Sequence, residues 1–411
     1  MKFRHRTIEK TLKRALKTFP AIVLTGPRQS GKTTLFQNLF SKTHTFISLE
    51  DADIRNRAKE DPIRFMSQYK PPLVIDEIQY VPEILSYIKT KIDENRKPGQ
   101  WLLTGSQNFA LMQNVTQSLA GRVAILSLMP FSYSEKVGLG GKTRDVASWL
   151  KKPVTSSQSQ SKKEAPLADW LLRGGYPEPA LNPKVDRQLW CGSYITTYLE
   201  RDVRNLANVG DLNQFERFVR LCAARTAQIL NLSEMARELG ISVPTAKRWL
   251  SILETGYQIY LLYPYYRNIG KRLIKSPKLY FCDTGLATYL LGLHDESALV
   301  NGPSFGALFE TMVICDTLKR FLHFGVLPSM YYVRSMDDLE IDLVIELGGK
   351  LHLFEIKSGS TITSQHGASL KRIAKELKSQ IKTTAIISNA PSQFELSENI
   401  INYPWQDVLM T

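Results

Sequence analysis

The chain has 411 residues, of which 43% are hydrophobic and 22% charged; at roughly 150 residues per domain this is material for two or three cores, and it excludes a mostly disordered polypeptide. Lys and Arg number 53 against 39 Asp and Glu, a formal net charge of +14, which suits a polyanionic partner without identifying one. No window holds the roughly 18 apolar residues of a membrane helix, so no membrane partner is expected.

Met1–Phe19 is basic, with Ile8, Leu12, Leu16 and Phe19 at helical spacing. It lacks an apolar signal core, and a phosphate-binding motif starts a few residues later, so it reads as a first helix rather than a targeting peptide. Short apolar runs then alternate with helical patterns to about Ser134: Ala21–Thr25, Thr45–Leu49, Leu73–Ile75, Trp101–Thr104 and Val123–Leu128. That alternation predicts a parallel sheet.

Gly26-Pro27-Arg28-Gln29-Ser30-Gly31-Lys32-Thr33 fits G-x-x-x-x-G-K-[ST] between a strand and a helical pattern that opens at Thr34. Gly26 and Gly31 permit backbone angles that side chains block, so successive N–H groups, with the helix dipole behind them, converge on phosphate oxygens. The loop from Gly26 to Thr34 is therefore the expected nucleotide site. Lys32 would reach the β- and γ-phosphates, and Thr33 would ligate Mg²⁺. Leu73-Val74-Ile75-Asp76-Glu77 supplies the other half: Asp76 for Mg²⁺ and Glu77 to polarise the attacking water. ATP and Mg²⁺ are the cofactors this pattern calls for. Past Thr104, Ser106 and Gln107 are alternative sensors of the γ-phosphate, or members of a satisfied turn. Arg122, just before a strand, is either a finger reaching a neighbouring subunit's γ-phosphate or a local salt-bridge partner.

From Lys151 to Pro166 the composition turns to Ser, Gln, Lys and Pro, a flexible linker or long loop. Leu232–Leu250 then reads as two short helices capped by Ser233 and Ser242, with Gly240 in the turn and Pro244 in the second helix's first turn. Met235, Leu239, Ile241, Ala246, Leu250 and Leu253 form the inward face, and Thr245, Lys247 and Arg248 are the polar residues placed to meet nucleic acid, DNA rather than RNA. A strand over Tyr257–Tyr263 would complete a winged unit; packing against protein is the competing use.

Near the C-terminus Glu340–Glu346 and Leu351–Lys357 alternate like strands around Gly348-Gly349. A two-residue turn there pairs Leu347 with Lys350 and sets Asp342 opposite Glu355 and Glu340 opposite Lys357. The four side chains share a face, with the Asp342 and Glu355 Cβ atoms about 5 Å apart. Like charges so placed repel, and a bound Mg²⁺ would reverse that cost, with Glu310 as a further ligand and Lys357 activating water. Alternatively Lys357 only pairs with Glu340. The cysteines Cys191, Cys222, Cys282 and Cys315 match no zinc spacing and read as reduced thiols of a cytoplasmic protein.

"GPRQSGKTTL", "LVIDEIQYVPEIL", "LTGSQNFALM" and "SLAGRVAILSLMPFS" resemble a group of prokaryotic AAA-type ATPases that carry a C-terminal domain of unknown function. The likeness continues through "LLRGGYPEPAL", "TYLERDV", "FCDTGLATYLLG", "GALFETMV" and "FEIKSG". It implies an AAA-type fold, ATP with Mg²⁺ and a homo-oligomer. The hairpin region resembles the PD-(D/E)XK nuclease core: Asp342 matches the first acid, Glu355-Ile356-Lys357 the E-x-K and Glu310 the helical acid, although Glu340-Ile341 replaces the Pro before Asp342. The expected fold is α/β: a P-loop AAA-type domain over 1–136, a flexible linker over 137–166, a helical region with a winged helix-turn-helix over 167–300, and a nuclease-like domain over 301–411. Two functions follow. Either ATP hydrolysis drives a domain that binds and cuts nucleic acid, or ATP sets the conformation of a platform that binds nucleic acid or protein without cleavage.

Overall fold

The computed structural model describes residues 3–105, 115, 118–153, 166–198, 203, 212–265, 275–334, 339–377 and 380–411. Five parallel strands form the first sheet, in the order β2-β3-β4-β1-β5: β1 Ala21–Thr25, β2 Thr45–Ser48, β3 Leu73–Asp76, β4 Trp101–Thr104 and β5 Val123–Ser127. β1 and β3 are buried along their whole length, as unbroken apolar runs in a covered parallel sheet must be. Ile8 and Leu12, at and beside α1 (Glu9–Ala15), and Leu35 and Phe36 of α2 (Lys32–Phe40) cover one face through Ile22, Leu24 and Val74. Ile84, Ile88 and Ile92 of α3 (Ile84–Glu94) cover the other through Val23, Ile75 and Leu103. The N-terminal helix is shorter than its apolar spacing predicts, and Phe19 lies past its end, 38% exposed.

Part of the stretch expected as linker over 137–166 is packed, the helix Val146–Lys151. Asp145 caps the helix Val146–Lys151, and Val146, Trp149 and Leu150 fall on one helical face that is buried. The Trp149 ring lies parallel to Phe354, 5.9 Å between centroids. The Ser/Gln/Lys-rich remainder, 154–165, lies outside the described residues.

The middle region runs α4 (Leu212–Ala224), β6 (Gln228–Ile229), α5 (Leu232–Glu238), α6 (Val243–Thr255), β7 (Ile259–Leu262) and β8 (Lys278–Phe281). The strands form an antiparallel sheet in the order β6-β8-β7. Asn231, not Ser233, caps α5: its side chain accepts the Glu234 N–H, and the helix starts at Leu232. Ser242 caps α6 as expected, accepting the Thr245 N–H. Trp249 joins the inward face, edge-on to Phe215 and Phe218 of α4.

The C-terminal region opens with α7 (Phe305–His323) and continues through β9 (Met330–Arg334), β10 (Glu340–Leu347), β11 (Lys350–Lys357), α8 (Ala368–Glu376), β12 (Ile381–Ser388), β13 (Phe394–Ser397) and β14 (Ile400–Pro404). Its mixed sheet has the order β13-β14-β12-β11-β10-β9. Gly348 and Gly349 both have positive φ, 58° and 71°, which is what a two-residue hairpin turn with the sheet's twist requires. Leu347 pairs with Lys350 and Leu343 with Phe354, so the register counted from that turn is the one observed. One continuous core, containing Trp170, Trp249, Phe309, Phe354 and Trp405, runs through the middle and C-terminal regions, with no break in packing between them at residue 300. All four cysteines are buried and free, and among the described residues no helix is long and apolar enough to cross a membrane.

Candidate functional site

The strand order reverses beside β1, whose partners are β4 and β5, so the loop leaving β1 opens where ligands bind in such sheets. Gly26 (φ 141°) begins that loop; a Cβ there would lie 2.2 Å from the Leu128 carbonyl oxygen. Gly31 (φ 94°) ends it as the cap of α2. Lys32 is buried, and its Nζ donates to the carbonyls of Gly26 at 2.9 Å and Pro27 at 2.8 Å. Ser30 Oγ is buried with no hydrogen-bond partner. Such an orphan has a reason if a phosphate oxygen completes it, so the loop fits a nucleotide triphosphate. Gln29 and Thr34 are exposed and Arg28 half-buried around it.

Thr33 Oγ1 lies 3.1 and 3.0 Å from the two carboxylate oxygens of Asp76, at the end of β3. A hydroxyl and a carboxylate side by side are hard oxygen donors suited to Mg²⁺. Burial raises the Asp76 pKa, and hydrogen bonds from Thr104 and Thr33 oppose that shift. Thr104, the last residue of β4, is the polar end of that strand the sequence reading missed: its hydroxyl bonds to Asp76 and also accepts the Glu77 N–H at 3.3 Å. Glu77 has a left-handed backbone (φ 57°) and accepts the Gln79 amide. Ser106 and Gln107 lie outside the described residues.

Three further neighbours carried no chemical signal in the sequence. Arg6 is buried and donates to the carbonyls of Ser30 at 2.9 Å and Met129 at 2.6 Å, while its Nε lies 3.2 Å from Glu135. Arg6 and neighbouring His323 hold the Glu135 carboxyl below the ordinary range against the effect of its burial. Pro177, the first residue of the helix Pro177–Leu181, comes within 3.8 Å of where a Gly31 Cβ would stand. Tyr257, just past α6, has its hydroxyl 2.7 Å from Thr25 Oγ1. Arg122 sits at the start of β5, the rim opposite the loop, about 16 Å away along five strand residues. Its guanidinium grips Asp93 of α3 through two bonds, 2.6 and 3.0 Å.

The acids named near the C-terminus do come together. Asp342 lies one residue beyond the last paired position, Leu343 with Phe354, and its carboxylate accepts the Ile356 N–H at 2.8 Å. Glu310 enters from α7, accepting the Tyr280 hydroxyl at 2.6 Å. Lys357 pairs with Glu355 at 2.7 Å and Asp342 at 3.6 Å, rather than with Glu340, which Lys278 takes at 2.5 Å. Burial and the nearby Asp342 charge push the Glu310 carboxyl up to about 7 and Glu355 up to about 8. Burial works against a charge on Lys278, but Glu310, Asp342 and Glu340 together keep it protonated beyond the usual lysine range. Among the described residues no three His, Cys, Asp or Glu side chains converge to hold a metal ion. As the side chains stand, then, Glu310, Asp342 and Glu355 do not fit the Mg²⁺ the sequence reading gave them, because an ammonium already lies among them.

On α6, Lys247 and Arg248 are exposed and Thr245 is half-buried; Val243, Pro244 and Ser251 complete the outward face.

Three family profiles match: an AAA domain over residues 18–137, a domain of unknown function (DUF8612) over 164–297 and another (DUF4143) over 305–408. An uncharacterized protein of Mycobacterium bovis and one of Mycobacterium tuberculosis are each 33% identical over 407 residues, covering 97% of this chain and 83% of theirs. The chain belongs to their family. Its N-terminal part is an AAA-type ATPase domain, and ATP binding and hydrolysis come with that assignment, as does a divalent metal, generally Mg²⁺. Among solved structures, the Walker-type ATPase paby2304 of Pyrococcus abyssi is similar at TM-score 0.41 and 15% identity, over 69% of this chain and 94% of that one. The Thermotoga maritima RuvB Holliday junction branch migration motor follows at 0.30 and 18%, over 62% and 88%.

Proposed function

We propose that the chain is a Mg²⁺-dependent ATPase whose nucleotide state governs how its middle and C-terminal regions bind nucleic acid. The observation that carries the ATPase part is the Thr33–Asp76 contact beside the orphaned Ser30 hydroxyl. Lys32, parked on loop carbonyls, has only to swing outward to meet the β- and γ-phosphates. Thr33 and Asp76 are placed to hold Mg²⁺, whose chemistry is to neutralise charge on the phosphate oxygens. Glu77, steadied by Thr104 and Gln79, orients the attacking water. Arg122 is too far from its own loop to act there. In an oligomer it would leave Asp93 and face a neighbour's γ-phosphate.

Nucleic-acid binding rests on α5 and α6, a helix-turn-helix followed by an antiparallel sheet with winged-helix order, and on the outward Lys247 and Arg248 in a chain of net charge +14. Of the two uses of the nuclease-like region, binding without cleavage is favoured by one observation: the buried Lys278 ammonium lies 3.1 Å from Glu310 and 3.6 Å from Asp342, two of the acids expected to ligate a metal. The test combines ATPase assays with duplex DNA retention on filters, with and without a non-hydrolysable ATP analogue. Lys32→Ala should abolish turnover and the analogue's effect on retention. Turnover surviving in that variant would remove the loop from the mechanism, and retention insensitive to nucleotide would remove the coupling.

A further inference from the structure

The phosphate loop is held from behind. The Ser30 carbonyl accepts Arg6 Nη1 at 2.9 Å, and Nη2 of the same guanidinium donates to the Met129 carbonyl, just past β5, at 2.6 Å. The guanidinium carbon stands 4.5 Å from the Phe131 ring centroid. Arg6 Nε lies 3.2 Å from Glu135 Oε2, an ion contact without hydrogen-bond alignment. Arg6 is 3% exposed and Glu135 fully buried, so water competes for none of these contacts.

We propose that Arg6 is a positioning residue of the ATPase site: it locks the Ser30–Gly31 peptide so that the Gly31 N–H serves the nucleotide's phosphates, and His323 at the end of α7 fixes the carboxylate that holds Arg6. In a trans peptide the C=O and the following N–H point in opposite directions. With the Ser30 carbonyl turned to Arg6, the Gly31 N–H is turned the other way, and it has no protein partner among the described residues. Gly31 stands at φ 94°, and a glycine lets such a peptide turn over with little steric opposition. Turned over, it would aim a carbonyl oxygen at the phosphates in place of a donor. A charge-assisted bond to the Ser30 oxygen is what opposes that flip. The proposal rests on the nucleotide reading of the loop.

The link to α7 runs through Glu135. His323, the last residue of α7, accepts the Met129 N–H through Nε2 at 3.3 Å, and its Nδ1 stands 3.3 Å from Glu135 Oε1, close but not aligned as a hydrogen bond. Burial lowers the His323 pKa, against the opposing pull of Glu135. An Nε2 that accepts leaves the proton of a neutral imidazole on Nδ1, on the side of the carboxylate. Glu135 also takes the Thr7 N–H at 2.7 Å and the Ser132 N–H at 3.0 Å. Arg6 and His323 therefore grip the same two partners, Glu135 and the Met129 backbone, and a shift of α7 is felt at the loop.

The test measures binding of a fluorescent ATP analogue with Mg²⁺, and steady-state hydrolysis, on the full chain. Arg6→Ala should raise the dissociation constant and KM about tenfold or more. It should change kcat by less than about threefold, because the Gly31 N–H holds phosphate before and during the reaction alike. A merely structural arginine would instead reduce the folded fraction: apparent kcat would fall at constant KM, and that result overturns the lock. So does an unchanged dissociation constant in an Arg6→Ala chain that is folded by circular dichroism. Should alanine not fold, Arg6→Lys, which keeps the charge but not the fork, is read the same way. His323→Leu should weaken binding on its own and add nothing to Arg6→Ala. His323→Gln, whose amide can accept from Met129 and donate toward Glu135, should recover most of the affinity. Independent, additive losses from the two sites would overturn the link to α7. If the unaltered chain binds no analogue, the nucleotide reading fails and the lock with it. That outcome is distinct from binding that Arg6→Ala leaves intact, which overturns the lock alone.

Discussion

The hydroxyl of Tyr257 lies 2.7 Å from Thr25 Oγ1 and 3.1 Å from Ser127 Oγ, bridging the ends of β1 and β5. Thr25 is the residue before Gly26, and Tyr257, in a left-handed conformation (φ 59°), comes two residues after α6 ends. The exposed basic helix is thereby fastened to the root of the phosphate loop. Tyr257→Phe keeps the ring and removes the bridge. It should cost about 1 kcal/mol of stability in urea unfolding and move the ATP dissociation constant by less than about threefold, under 0.7 kcal/mol. The nucleotide-dependent change in DNA retention should disappear. If that change persists, the two regions communicate by another route.

Thr104 fixes two catalytic candidates with one hydroxyl, bonding to the Asp76 carboxylate and accepting the Glu77 N–H. Neither bond touches the loop amides that would hold the phosphates. Thr104→Val should therefore lower kcat by about tenfold, a barrier change of about 1.4 kcal/mol, and leave KM for ATP nearly unchanged. A rise in KM with kcat intact would assign Thr104 to binding instead.

Lys247 and Arg248 point outward on consecutive positions of α6. If each neutralises a phosphate, replacing either with alanine should weaken DNA binding regardless of sequence and reduce the slope of log K against log salt by about 1. Retention measured from low to moderate salt gives both quantities. Unchanged affinity and slope would take α6 off the nucleic-acid surface.

Asp316, on α7, is buried and accepts the Tyr133 N–H at 2.6 Å. Burial pushes its carboxyl up to about 6 from an ordinary 3.8, against the opposing pull of Lys319. Its folded pKa thus lies above its unfolded one, so the folded chain takes up the proton first. The resulting stabilisation is complete below about pH 4 and lost as pH rises through 6, up to about 3 kcal/mol. Asp316→Asn should flatten that part of the stability profile, followed by urea unfolding at a series of pH values. An unaltered slope between pH 4 and 6.5 would place the titration elsewhere.

Where the chain's local rules and its tertiary structure coincide, its sequence is readable. Four of the five strands of the first sheet open on short continuous apolar runs, so their positions are readable from the local sequence; β2, Thr45-Phe46-Ile47-Ser48, is the less apolar exception. The Gly348-Gly349 turn sets a register that holds from Leu347 and Lys350 to Leu343 and Phe354, because strand pairing is rigid once the turn is fixed. The cap of α5 was missed by two residues, since Asn and Ser are both good caps and local sequence does not rank Asn231 against Ser233. Lys278 and Arg6 were invisible for a different reason. Each reaches its site from a distant segment, and an isolated basic residue in a basic chain carries no spacing signal. Trp149 shows the converse: three apolar residues at helical spacing beside a polar tract were enough to build a packed helix that composition averaged away.

The first and last parts of the polypeptide are interlaced. Thr11 and Arg14, beside the opening strand, donate to the carbonyls of His323 and Phe324, where α7 ends, and the Arg144 N–H closes on the final residue, Thr411. During synthesis, then, the nucleotide-binding part emerges from the ribosome long before the groups that complete its hydrogen bonding exist. It must wait unfinished until residue 324 has been translated. A shortened gene product ending at residue 137 should accordingly be prone to aggregate, with its open flank exposed to chaperones and proteases.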